Sequence, residues 1–147
     1  MDHFDRLVAE GEAYLEELCL RGQEESLTLE FKTSEDVKSR KLSRIDRRNI
    51  GKELSAFSNS IGGVLIWGVG TEKGPEGLDR AKYLAPIANI RKIYADVIEY
   101  SKDYLSPRNE DVEVEICESR NDSAFGYFFV RVGRSERELC PNLGDAA

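Results

Sequence analysis

LSAFSNSIGGVLIWGVG, residues 54–70, reads as the end of an amphipathic helix, a Gly-Gly stop and a strand apolar on both faces. Ile50, Leu54, Phe57 and Ile61 recur at three- and four-residue steps, which puts them on one helical face. Gly62 and Gly63 can take the left-handed conformation that ends a helix without a steric penalty. Residues 64–69 then form a run too short for a helix and too apolar for a sheet edge, so a buried strand is expected.

Upstream, Leu27, Leu29 and Phe31 alternate with Thr28, Glu30 and Lys32, which predicts a half-buried strand over residues 26–32. Residues 33–42 are polar and charged and read as a mobile loop. Ser43 caps the next helix, with Asp46 in the capping-box position, and that helix runs to about Ile61. Further back, Phe4, Leu7, Val8, Leu15 and Leu18 predict one amphipathic helix ending near Gly22.

Downstream, residues 70–78 are turn material rich in glycine, with Pro75. Ile90, Ile93, Tyr94, Val97, Tyr100 and Tyr104 mark a third helix, stopped before Pro107. Val112, Val114 and Ile116 alternate with Glu113 and Glu115, and residues 127–132 form a strand joined to them by a hairpin over 118–123. Four strands or slightly more, with about three helices in mixed order, predict an α+β fold in which helices cover a mixed sheet. One domain is expected over residues 1–135. Residues 136–147 are expected to be a tail that opens a further region.

At 147 residues, with 40% hydrophobic content, the chain has the length and composition of one globular domain. Cys19, Cys117 and Cys140 lack metal-like spacing, and His3 is alone, so a Cys/His metal site and a Ser-His-Asp or Cys-His catalytic set are not expected. Acids interrupt the N-terminal segment early and no long apolar run occurs, so the expected setting is cytoplasmic, away from membranes.

The net charge of −7 would repel nucleic acid if it were evenly spread. Yet residues 38–52 hold Lys38, Arg40, Lys41, Arg44, Arg47, Arg48 and Lys52 against one acid, Asp46. Arg44, Arg47, Arg48 and Lys52 fall at helical steps off the apolar stripe, so with Lys32 the run can track a phosphate backbone. An ordinary solvated face, paired with the acidic first helix, is the plainer account. Glu25 and Glu30 form a carboxylate pair that could hold Mg²⁺ or Mn²⁺ and so polarise a phosphodiester. They differ in strand parity and converge only if the strand begins or twists near Ser26. Otherwise Glu25 is exposed and Glu30 pairs with Lys32 or with a cation of the next helix. Gly68, Gly70 and Gly74 read as turn glycines, because Pro75 and Gly77 deny the helix start that a pyrophosphate site needs. Trp67 and the tyrosines of the third helix read as core.

ESLTLEFK followed by KELSAFSNSIGGVLIWGVG resembles the AlbA-like domain of the Schlafen family and its bacterial relatives. Those relatives read E-x-x-x-x-E-F-K, then a helix ending in A-F-A-N-T-x-G-G, then an apolar strand ending in G-V. The matching positions are Glu25, Glu30, Phe31 and Lys32, then Ala56, Phe57, Asn59, Gly62, Gly63, Gly68 and Val69. The resemblance implies a nucleic-acid-binding (DNA or RNA) domain of a bacterial regulator or defence-type protein; an older description grouped such domains with ATP-binding proteins. Some animal members are metal-dependent endoribonucleases that cut tRNA with two glutamates and an aspartate just past the apolar strand. The resemblance assigns Glu25 and Glu30 as catalytic and metal ligands, with Mg or Mn as cofactor. At the third position this chain has Gly70, Thr71 and Glu72, which leaves Glu72 as a displaced third ligand. A protein-interaction domain without a nucleic-acid role fits the net acidity, and a homodimer is compatible with all three readings.

Overall fold

The computed structural model describes residues 2–104 and 111–133. The tail at 136–147 and the stop before Pro107 lie outside them.

The expected first helix is two, α1 (His3–Glu10) and α2 (Glu12–Leu20). Gly11 sits between them at φ 61, a conformation that turns the chain at little cost only for glycine. The turn leaves Val8 56% exposed and drives Glu12 inward, 7% exposed. There the Tyr127 hydroxyl (2.6 Å) and the Arg120 backbone N–H (3.1 Å) donate to its two oxygens. Burial pushes the Glu12 carboxyl up, but these donors outweigh it and hold the group low.

Strand β1 (Leu29–Lys32) starts later than the alternation predicts. Ser26 and Leu29 close a tight turn, with backbone N···O distances of 3.0 and 3.4 Å, which throws Leu27 into solvent. The following loop is anchored rather than loose. Leu42 is buried in the core, the Ala88 N–H donates to the Val37 carbonyl (2.8 Å) and the Asn89 amide to the Arg40 carbonyl (2.9 Å).

Helix α3 (Arg44–Ser58) begins as predicted: the Ser43 hydroxyl accepts from the Asp46 N–H at 3.0 Å. It ends at Asn59, before Ile61, which is exposed. Gly62 takes the left-handed turn at φ 84. Gly63 opens β2 (Gly63–Trp67) with an ordinary strand φ.

The strand expected over residues 64–69 breaks at Gly68 (φ 113), and residues 70–78, expected as turn material, fall within a hairpin of β3 (Val69–Lys73) and β4 (Asp79–Leu84). The short β5 (Ile87–Ala88), helix α4 (Ile90–Tyr104), β6 (Val112–Glu118) and β7 (Phe125–Val132) follow. The fold class is α+β as expected, with seven strands and four helices among the described residues. In the main sheet β1 runs parallel to β2, as an α3 crossover requires, and β2 runs antiparallel to β7. Strand β6 covers the other edge of β7, and β5 extends the β2 edge.

Alternation in β2 divides the core. Leu65 and Trp67 face Ile50, Leu54 and Phe57 of α3 and Ile93 and Val97 of α4. Val64 and Ile66 face Phe4, Leu7, Leu15 and Leu18 of α1 and α2. A sheet packed on both faces explains a strand with no polar residue. Trp67 is core as expected; it stacks on Phe128 (5.3 Å) and donates to the Ser34 hydroxyl (2.8 Å). Among the described residues no helix is long and apolar enough to cross a membrane.

Candidate functional site

The turn at Ser26 resolves the parity of the two glutamates. It folds Glu25 back beside β1, where the Phe31 N–H donates to Glu25 Oε2 at 2.9 Å. The backbone N–H of Glu25 donates to the Asp79 carbonyl at 2.9 Å, tying the segment to β4. Glu25, Glu30, Asp79, Thr71 and Tyr83 line one cavity of about 250 Å³. Burial pushes the Glu25 carboxyl up to about 7; the Phe31 N–H opposes this, and the Glu30 and Asp79 carboxylates add to it.

Asp79 is the residue that sequence reasoning missed. It follows a glycine-rich turn, and only the hairpin pairing brings it to the glutamates. Glu72, the displaced third acid, does not join them. Successive strand residues face opposite sides, so Thr71 lines the cavity while Glu72 turns to Arg80 (3.0 Å) and Lys82 (2.9 Å). Hydrogen bonds from Lys82 and Arg80 hold its carboxyl low.

The cavity does not fit a hard divalent cation. Glu25 accepts from Phe31, Glu30 is 3.5 Å from the Lys32 ammonium, and Asp79 is 3.2 Å from the Lys73 ammonium. Among the described residues no three His, Cys, Asp or Glu side chains are gathered to hold a metal ion. Lys32 is also 4.0 Å from Glu53, so this cation is occupied by acids on two sides. Burial raises the Glu53 carboxyl and Glu30 adds to that, while Lys32 and Lys52 oppose it.

The basic run behaves differently. Helix α3 brings Arg44, Arg47, Arg48 and Lys52 together along a groove of about 530 Å³ that Tyr104 of α4 closes on the far side. Lys38, Arg40 and Lys41 are exposed on the anchored loop just before α3, outside the groove. Every described lysine and arginine outside residues 38–52 pairs with a carboxylate: Arg6, Arg21, Lys32, Lys73, Arg80, Lys82, Arg91, Lys92, Lys102, Arg120 and Arg131. None of the seven within it pairs with a described acid. The first helix spends its acids on Arg6 and Arg131, so it does not neutralise this face.

A mixed sheet with helices on both faces, a helix-Gly-Gly-strand junction and the glutamate-bearing edge strand define an AlbA-type domain. The sequence pattern of the family described as Schlafen, AlbA_2 matches residues 25–140, and the chain belongs to that family. Its fold is similar to the solution structure of the N-terminal domain of a putative ATP-dependent DNA helicase RecG-related protein from Nitrosomonas europaea. The TM-score is 0.53 at 16% identity, over 88% of this chain and 76% of that one. No curated protein matches the chain.

Proposed function

We propose that this domain binds nucleic acid through the phosphate backbone, using the face formed by Lys38, Arg40, Lys41, Arg44, Arg47, Arg48 and Lys52. One observation carries the reading: these cations alone, among those described, form no salt bridge with a described acid, in a chain with 28 acids to 21 bases. Unpaired surface cations are free to replace the counterions of a polyanion, which supplies most non-specific affinity. The solved relative belongs to a protein named for a DNA helicase, which supports the same class of partner. A binding module within a larger bacterial regulator or defence-type protein accommodates these features.

The endoribonuclease reading ranks second. Glu25 and Glu30 do meet, as such a site needs, but the third acid of the pattern is turned away and the pair is engaged by protein donors.

The test is a salt titration of oligonucleotide binding by the chain and by Arg44→Ala/Arg47→Ala/Arg48→Ala. Each lost phosphate contact removes about 0.7–0.9 from the slope of log K against log salt, so the variant is expected to bind weakly and flatten the slope by about 2–3. An unchanged affinity and slope would place the nucleic-acid site elsewhere, and no binding by the parent chain would favour a protein partner.

A further inference from the structure

Cations line one side of the groove between α3 and α4; an aromatic ring forms the other. Tyr104 closes α4 and is 38% exposed. A Cβ at Gly51 would stand 2.6, 2.8 and 2.8 Å from Cδ1, Cε1 and Cγ of that ring. Three consecutive ring atoms at nearly one distance put that point over the ring's face, not its edge. The tyrosine therefore lies with one face against the α3 backbone at Gly51, and its remaining exposed surface lines the groove. Gly51 is a poor helix former in mid-helix, weaker than Ala by about 1 kcal/mol, and this approach is what its missing side chain allows. The Ser55 hydroxyl donates to the Tyr104 carbonyl at 3.3 Å and holds the end of α4 in place.

Arg47 completes the wall. Its guanidinium carbon lies 5.6 Å from the centroid of the Tyr100 ring, and its Nε is buried without a partner. A guanidinium seated on a ring is held in one orientation, with its plane available for stacking. Arg44, Arg48 and Lys52 remain as exposed point charges beside it.

Duplex nucleic acid offers a groove only its phosphates and base edges, because its bases are stacked on one another. A single strand offers phosphates and free base faces together, and cations interleaved with aromatic faces are the chemistry that recognises it. We infer that the α3–α4 groove takes single-stranded nucleic acid in preference to duplex, with the Tyr104 ring as its base-stacking platform. This rests on the nucleic-acid reading above and adds the form of the strand.

The test compares fluorescence anisotropy titrations of a labelled twenty-nucleotide single strand, as DNA and as RNA, with those of the same sequences as duplexes at one salt concentration. The chain is expected to bind single strands at least tenfold more tightly. Tyr104→Leu keeps an apolar residue against Gly51 but removes the π face. It is expected to cost single-strand binding about fivefold or more beyond any loss in duplex binding, the lower end for one base–aromatic stack. The salt slope should stay the same, since no phosphate contact is lost, and Tyr104→Phe should restore the preference. Thermal melts of each variant separate a packing defect from a binding one. Equal affinity for the two forms, or equal losses with Tyr104→Leu, overturns the inference while leaving the phosphate reading intact. Binding that survives the triple arginine variant overturns both.

Discussion

Glu25 shows how a single side chain can be legible in identity and illegible in state. The sequence marks it through its spacing from Glu30, but strand parity sets the two apart. The tight turn at Ser26 rejoins them; the Ser26 hydroxyl accepts from the Thr28 N–H at 3.2 Å, a local signal that the strand-like alternation of the stretch hides. Its consequence is a titration. The Glu25 carboxyl lies at about 7 in the folded chain against an ordinary value of 4.5. A raised acid contributes stability that is fully present below its unfolded value and is lost as pH rises through its folded value. Glu25→Gln removes that loss and keeps an oxygen for the Phe31 N–H. The variant is expected to melt a few degrees above the parent at pH 8 and level with it at pH 4. That corresponds to about 1–2 kcal/mol, discounted because the side chain is only half-buried. Melting curves at the two pH values decide it; a gain at both, or a loss at pH 8, would show that Glu25 is not the strained acid. Tyr104 was misjudged for a related reason. Its three- and four-residue spacing places it on the apolar side of α4, but periodicity is blind to a helix end, where the same face runs out past the core.

At the scale of elements, long periodic segments were readable and short polar ones were not. Helix α4 occupies the stretch its apolar periodicity marks from Ile90, and α3 has its predicted cap, because many residues vote for each. The β3–β4 hairpin was hidden because it carries its pairing in charges: Glu72 meets Arg80 and Lys82, and Lys73 meets Asp79, across the ladder. Such a strand lacks the apolar alternation by which strands are recognised. The helix-Gly-Gly-strand junction was found, but the two glycines act differently. Gly62 supplies the left-handed φ, whereas a Cβ at Gly63 would stand 2.5 Å from Cδ1 and Cε1 of Phe57. Gly63→Ala is therefore expected to destabilise by overpacking, about 1–3 kcal/mol. Gly63→Ala in a Phe57→Leu background should cost less, because the smaller side chain yields the space. Chemical denaturation of the four members of that cycle measures the coupling; additive effects would return Gly63 to a purely backbone role.

Over the whole molecule, charge is sorted rather than balanced. Among the described residues, acids take up the cations outside residues 38–52 and leave one basic face without salt bridges, on α3 and the loop before it. The acidic cavity adjoins that face through Lys32, Glu53 and Lys52, so a strand held by the arginines would pass close to carboxylates that repel it. That juxtaposition suits a nuclease only if a cation bridges acid to phosphate, and the present acids are engaged elsewhere. The chain is therefore expected to leave tRNA intact with Mn²⁺ as with EDTA. Defined fragments that need Mn²⁺ and vanish in Glu30→Gln would reverse the ranking of the two readings. The position where an added acid would change the outcome follows from the hairpin. A Cβ at Gly70 would stand 2.0 Å from Cζ of Tyr83 and displace that ring, whereas Thr71 already lines the cavity with Glu25, Glu30 and Asp79. Thr71→Asp sets a further carboxylate among them and should raise Mn²⁺ affinity, read by calorimetry or by Mn²⁺-dependent thermal stabilisation. If Thr71→Asp takes up no Mn²⁺ and only loses stability, the cavity is built around its internal donors, and cation chemistry there requires more than one missing acid.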